Sequence, residues 1–157
     1  MNAAQRQTLI NKIAALPGQI EELVAGLTPE QLTAHPLAGE WSVAQNVHHL
    51  ADSHINSYVR CRLVLTEDHP TLKPYNQEDW AEIPDAASAD VSTSLAILRG
   101  LHGRWVHFWE GLADADFART AFHPESGEVT LQSLLETYAA HGEAHIDQIT
   151  RTLAAQR

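Results

Sequence analysis

Apolar side chains recur every three or four residues through four long stretches of the sequence, the spacing that lines one face of an α-helix. No stretch of alternating β-branched residues competes with this pattern. The first two stretches cover about residues 3–26 and 42–65, the third begins at Ser92 or Ser88 and runs to about residue 112, and the fourth begins after Thr130. The sequence therefore predicts an all-α protein, whose first helix is kinked or interrupted at Pro17.

Capping residues mark where two of these helices begin. Ser42 can cap the second helix while Gln45 reaches back to it, and Thr130 can cap the fourth. Residues 67–87 hold three prolines and form a connection too long for a tight helical hairpin, which allows the second and third helices to run parallel. The segment 123–127 is predicted to be a turn.

Length and charge limit the class of protein. A chain of 157 residues fits one domain, which we expect to span residues 1–157. Ten lysines and arginines against twenty aspartates and glutamates give a formal charge of -10, which repels nucleic acid and anionic membranes, so neither is an expected partner. The one cysteine, Cys61, excludes an intrachain disulfide, and no long apolar run occurs. We expect a soluble cytoplasmic protein.

Two histidines spaced four residues apart, His141 and His145, lie on the last predicted helix. Four residues of helix bring both imidazoles to nearly one face, as a helix that holds a metal ion requires. Two ligands rarely hold a divalent ion for long, so a third must come from elsewhere, and His49 on the second helix is the best candidate. In a chain with ten histidines the pair could also arise by chance and be solvated or satisfied in the core.

A helical wheel groups polar side chains around these histidines. At about 100° per residue, three side chains of the second helix fall within about 60° of His49: Gln45, Asp52 and Asn56. His48 and His54 point about 100° and about 140° away from it. On the fourth helix, Tyr138 shares the face of the histidine pair. Two facing polar stripes predict a small-molecule pocket inside the bundle, with Trp41 and Tyr75 as candidates for its rim.

A metal site of this kind has a coordination position at which substrate can bind. Three imidazole nitrogens suit zinc and similar divalent ions and leave a fourth position for water or substrate. Asp52 could orient a ligand imidazole or act as a base, or could simply be exposed or capping. Glu143 follows the first histidine of segment 141–145 by two residues, which excludes the zinc-protease motif. Arg60 and Arg104 could recognise a carboxylate, although surface salt bridges are their commoner use.

Four separated motifs carry a resemblance to a known family. In chain order they are Gly-Glu-Trp-Ser-Val-Ala-Gln-Asn-Val-His-His-Leu-Ala-Asp at 39–52, Leu-Thr-Glu-Asp-His-Pro-Thr-Leu-Lys-Pro-Tyr at 65–75, Leu-His-Gly-Arg-Trp at 101–105 and His-Gly-Glu-Ala-His at 141–145. Together they resemble the YfiT branch of the DinB-like metalloenzymes over almost the whole chain.

The resemblance implies an up-down-down-up four-helix bundle, often a homodimer, in which three histidines hold one divalent metal ion per chain, zinc or nickel. Those ligands map onto His49, His141 and His145, the set that the wheel also favours. The branch often carries additional histidines where this chain has Ala144 and Gln148.

The resemblance also implies an enzyme that acts on a small molecule, and two reactions fit one open metal. The first is an S-transferase, in which a metal-bound low-molecular-weight thiol such as bacillithiol attacks an electrophile. The second is a hydrolase that uses metal-bound hydroxide, for which Asp52 is the candidate base. The lack of a clear base and acid pair favours thiol transfer. A module that binds a metal or small molecule without catalysis is a third hypothesis.

Overall fold

The computed structural model describes residues 1–156 and is a four-helix bundle, as the sequence predicts. The long helices are α1 (Ala3–Val24), α3 (Val43–Thr66), α5 (Ser92–Glu110) and α6 (Leu131–Ala155). Two short helices, α2 (Pro29–Thr33) and α4 (Gln77–Ala81), a 3-10 turn at Asp114–Ala118 and two strands, β1 (Thr120–His123) and β2 (Gly127–Thr130), lie between them.

The helix starts follow the predicted capping. The Ser42 side chain accepts a hydrogen bond from the Gln45 backbone while Gln45 accepts from the Ser42 backbone, so α3 begins with a complete capping box. Thr130 caps α6 in the same way with Ser133. The interruption predicted at Pro17 is absent, since α1 continues through this buried residue.

The hairpin of β1 and β2 corrects the expectation that the chain contains no strands. The two strands pair antiparallel from Thr120 and Thr130 at the open end to His123 and Gly127 at the turn, which lies where the turn was predicted. Each strand has only four residues, too few for an alternating pattern to be visible in the sequence. Backbone hydrogen bonds from this hairpin to Pro70 and Leu72 hold the long connection in place.

Contacts between the long helices give their directions. Two contacts with rising residue numbers show that α3 and α5 run parallel: His48 with Ser94 and His54 with His102. Two contacts in opposite order show that α3 and α6 run antiparallel: Asn46 with His145 and Arg60 with Tyr138. Helix α1 runs parallel to α6: Met1 with Gln132 and Lys12 with Glu143. The order is therefore up-down-down-up, with α3 packed between α5 and α6.

Two apolar clusters form the core, and a layer of histidines separates them along the bundle axis. One cluster contains Trp105, Trp109 and Leu135, and the other contains Leu50 and Leu98. Three buried histidines, His54, His102 and His145, lie between residues of the two clusters along α3, α5 and α6. Among residues 1–156, none of the helices combines the length and apolar character needed to cross a membrane.

Candidate metal centre

Three histidines from two antiparallel helices converge at the interface of α3 and α6. His49 Nε2 lies 3.2 Å from His141 Nε2, and His145 Nε2 lies 3.1 Å from the same atom. The potential ligand atoms of the three residues all lie within 4.8 Å of one another. These are the three residues that the sequence analysis selects as metal ligands.

Burial makes these imidazoles neutral at physiological pH. Burial is the main cause that lowers the pKa of His49 and of His141 to about 4 and that of His145 to about 3, and neighbouring imidazoles contribute to the shifts of His49 and His145. A neutral imidazole has one unprotonated nitrogen, which is the form that binds a metal ion. The site is therefore ready to bind a cation without first losing protons.

Asn46 fixes which nitrogen of His145 carries the proton. The Asn46 amide donates to the Ser42 carbonyl at 2.9 Å, so its oxygen faces His145 Nδ1 at 2.7 Å and accepts from it. His145 Nε2 is left with a lone pair directed at the other two histidines. A divalent cation among the three Nε2 atoms would bind this lone pair together with the two neighbouring imidazoles, so the residues fit the metal that the resemblance implies.

Two further histidines lie behind His141, and the sequence analysis did not select them. His54 Nε2 is 3.0 Å from His141 Nδ1, and His54 Nδ1 is 2.8 Å from His102 Nε2. The wheel set His54 aside because it points away from His49, but that direction leads into the interface with α5 and α6. His102 could have been noticed, because it occupies the apolar stripe of Leu98 and Trp105 where a leucine is expected.

A cavity of about 700 Å³ adjoins two of the three histidines. His49 and His141 form part of its wall, and α3, α6, the long connection and the hairpin supply the rest. The other polar groups that face it include Ser53, Ser57, Arg60, Tyr75, Tyr138 and Glu125. A smaller cavity of about 260 Å³ lies beside His141 and His145 and is lined by Trp41, Glu78 and Gln148.

Three of the five predicted pocket residues lie where the sequence analysis expects them. Tyr75 and Tyr138 line the larger cavity, and burial raises the pKa of Tyr75 to about 12, so its hydroxyl remains protonated. Trp41 packs against His49, with ring centroids 4.7 Å apart, and stacks on His145 at 6.1 Å. Its ring thus covers one side of the histidine cluster.

Gln45 and Asn56 do not line either cavity, which corrects their prediction as pocket residues. Gln45 is engaged in the α3 cap and donates to the Ala81 carbonyl, while Asn56 donates to the Asp52 carbonyl of its own helix. Asp52 is half-buried, does not line the large cavity and makes no hydrogen bond to the three converging histidines. Its placement therefore gives no support to a role as base or orienting group.

Two other reactive side chains are accounted for by packing. His48 contacts Ser94 through Nδ1 at 2.8 Å and the Ser88 carbonyl through Nε2 at 2.9 Å, so both of its nitrogens are used away from the cluster. Cys61 is completely buried in an apolar cluster, and burial raises the pKa of its thiol. Neither residue belongs to the site.

These features define a class of protein: helical bundles with a candidate metal centre built from side chains on facing helices. The chain belongs to the DinB superfamily, whose model matches residues 13–149. It is 42% identical over 147 residues to YfiT of Bacillus subtilis, covering 93% of this chain and 83% of that protein, whose name provisionally assigns it to the metal-dependent hydrolases. A similarly named protein of Bacillus mycoides is 44% identical over 141 residues, covering 90% of this chain and 81% of that protein.

The fold of the Bacillus subtilis protein is also closely similar. Its solved structure superposes with a TM-score of 0.93 at 39% sequence identity, covering 97% of this chain and 87% of that one. That structure is described as having an unusual four-helix bundle topology.

Proposed function

We propose that the chain is a divalent-metal-dependent enzyme in which His49, His141 and His145 hold the metal. The observation that carries this proposal is the convergence of three imidazoles, two of which form part of the wall of a cavity of about 700 Å³. A zinc or nickel ion held there would supply Lewis acidity, which lowers the pKa of a thiol or a water beside it. The names of the Bacillus relatives, which assign them to metal-dependent hydrolases, support a metal-dependent activity.

Thiol transfer is the reaction that we propose. Within the described residues, the nucleophilic side chains near the cavity are occupied: Ser57 donates to the Ser53 carbonyl at 2.6 Å, and Ser53 donates to the Leu50 carbonyl at 3.4 Å. This supports a nucleophile that comes from outside the chain, which in thiol transfer is a second small molecule. A cavity of this size lies within the usual range of small-molecule pockets, about 300–1,000 Å³, and has room for a small thiol beside a small electrophile.

The reaction is a substitution at the electrophile. The thiol sulfur forms a bond to the electrophilic carbon, the leaving group departs with the electron pair of the broken bond, and the thiol proton passes to solvent. The chain's own contribution is to bind and orient the two reactants. Tyr75 and Tyr138 offer hydroxyl groups along the cavity wall, and Trp41 shields the opposite side of the histidines.

Arg60 indicates that one reactant carries a negative charge. Its guanidinium group lines the cavity, donates to the Tyr138 hydroxyl at 3.4 Å and contacts the Lys73 carbonyl at 2.5 Å. Among residues 1–156, no carboxylate lies within ion-pairing distance of it, although Glu125 faces the same cavity. An arginine without an acidic partner is suited to binding a carboxylate of the thiol or of the electrophile.

Hydrolysis is the second candidate, and the names of the relatives favour it. In that reaction water adds to a carbonyl carbon while a nearby group accepts its proton, and the bond to the leaving group breaks, so that the leaving group departs with the electron pair and takes up a proton. Glu125, on the exposed hairpin turn, is the carboxylate that faces the cavity and could serve as this base. The rest of the site would act as in thiol transfer.

A panel of reactions separates these functions. The protein, loaded with zinc or nickel, is assayed with 1-chloro-2,4-dinitrobenzene in the presence and absence of cysteine or bacillithiol, and with 4-nitrophenyl acetate without thiol. We expect conjugation that requires both thiol and metal and that is lost in His145→Ala but retained in His48→Ala. Ester cleavage without thiol would instead establish the hydrolase. Stoichiometric metal with neither reaction would favour a binding module, and a wild type that binds no metal would overturn the proposal.

A further inference from the structure

One chain of hydrogen bonds passes through all four long helices and ends at the candidate metal centre. It begins at the Ile13 carbonyl on α1, which lies 2.7 Å from His102 Nδ1 on α5. It continues from His102 Nε2 to His54 Nδ1 on α3 at 2.8 Å, and from His54 Nε2 to His141 Nδ1 on α6 at 3.0 Å. The next nitrogen, His141 Nε2, faces His49 and His145.

The direction of every hydrogen bond in this series follows from the first one, which joins His102 Nδ1 to the Ile13 carbonyl. A carbonyl oxygen can only accept, so His102 Nδ1 carries the proton and His102 Nε2 is an acceptor. His54 must then donate through Nδ1 and accept through Nε2. His141 in turn donates through Nδ1, which leaves the lone pair on His141 Nε2. Three neutral imidazoles supply three protons for three hydrogen bonds, and the remaining lone pair points at the centre.

We propose that His54 and His102 are positioning residues, which transmit the acceptor character of the Ile13 carbonyl to His141 and fix Nε2 as the nitrogen available to a metal ion. This inference rests on the proposed function insofar as His141 is a metal ligand. Partners that orient ligand imidazoles typically change metal affinity by about 10–100-fold when they are removed. His54 is one step from the ligand and His102 is two steps from it.

This series of hydrogen bonds holds protons in place rather than conducting them. Its far end is a backbone carbonyl, which cannot take up a proton from one side and release it on the other. His54 and His102 are 0% and 1% exposed, and both ring nitrogens of each are engaged within this series of contacts. The same arrangement ties the ligand on α6 to the positions of α1, α3 and α5, so the geometry of the centre depends on the register of the whole bundle.

The alternative is that these histidines only fill the core between the two apolar clusters. In that case a leucine at position 102 would change stability without changing the proton position on His141, which His102 does not touch. The bundle offers a matched control in His48, which is another buried histidine of α3 with both nitrogens engaged. Its partners, Ser94 and the Ser88 carbonyl, do not belong to the series of hydrogen bonds that ends at His141.

The direct test is nitrogen-15 NMR of the histidine side chains in the wild type, metal-free and loaded with zinc. We expect His54, His102 and His141 to carry the proton on Nδ1 in both states. An Nε2 proton on metal-free His54, His102 or His141 would overturn the proposal without any variant. This result does not depend on whether the protein binds metal, so failure of the proposed function would be seen separately, as a wild type that takes up no zinc.

Substitution of His102 then tests the transmission. In His102→Leu we expect His141 to populate the Nε2 proton and zinc affinity, measured by chelator competition, to fall about tenfold or more. His102→Gln should retain affinity close to the wild type, because an amide can donate to Ile13 and accept from His54. His48→Leu should lower the unfolding temperature but leave both readouts unchanged. Unaltered His141 tautomer and affinity in a folded His102→Leu protein would show that His102 is only structural.

Discussion

The candidate metal centre and the cavity beside it are built in opposite ways. At the centre, His145 and His141 are held by partners that lead back to the backbone carbonyls of Ser42 and Ile13. In the cavity, Arg60 has no acidic partner among the described residues, and Glu125 is exposed. The first region is fixed in one arrangement before anything binds, whereas the second keeps charges and hydroxyls available for a ligand.

This contrast suggests that the two regions of the bundle have different tasks. The centre supplies a chemistry that requires fixed geometry, and buried hydrogen bonds provide it at the interface of packed helices. The cavity draws much of its wall from the long connection and the hairpin, and the residues of these segments that line it lie outside the two apolar clusters. Changes at the centre should therefore alter metal binding, and changes in the cavity should alter substrate recognition alone.

Removing a ligand should produce the largest effect. We expect His141→Ala and His145→Ala to lose metal almost completely, by more than the about 10–100-fold that follows removal of an outer partner. Elemental analysis of protein purified after expression checks this, with helical circular dichroism as the control for folding. The helices should remain, because the two apolar clusters on either side are untouched. Collapse of the helical signal would show that the histidine pair is structural.

Removing the partner of His145 should have the next largest effect. Asn46→Leu leaves the buried Nδ1 proton of His145 without an acceptor, so we expect zinc affinity to fall about 10–100-fold, whereas Asn46→Asp should preserve it. Asn56→Leu is the matched control, because the same residue type on the same helix bonds only to the Asp52 carbonyl. Equal losses in the Asn46 and Asn56 variants would mean that general destabilisation, not ligand orientation, is being measured.

Arg60→Gln should change recognition without changing the centre. A hydrogen-bonded charge contributes about 1.5–3 kcal/mol, and partial exposure reduces it, so we expect KM for the anionic reactant to rise about tenfold with unchanged metal content. Arg62→Gln is the control, since Arg62 contacts Tyr58 on the exposed face of α3 and does not line the cavity. Loss of metal from the Arg60 variant would show that cavity and centre are not independent.

The sequence predicts the fold and the three converging histidines better than their surroundings. Helix starts and the ligand face follow from local capping and from a period of 3.6 residues, which act within one helix, and the parallel crossover follows from the length of the connection at 67–87. The side chains that contact these histidines depend instead on how neighbouring helices are rotated about their axes and shifted along them. His54 illustrates this, because the wheel gives its angle correctly but cannot show that α5 and α6 both lie in that direction.

A helical wheel gives only the angle of a side chain within its own helix, which is why Asp52 looked suitable on it. Substitution of Asp52 should have the smallest effect. Asp52 shares the angular sector of His49, but it does not line the large cavity, and burial together with the charge of Asp85 raises its pKa. We expect Asp52→Asn to keep full metal content and to change kcat/KM by no more than about twofold, within the usual range for surface substitutions. Glu125→Gln, assayed in parallel, should slow any thiol-independent ester cleavage if the hydrolase reaction operates. A large loss of activity in Asp52→Asn with metal retained would show that Asp52 takes part in the site and that the site extends further along α3.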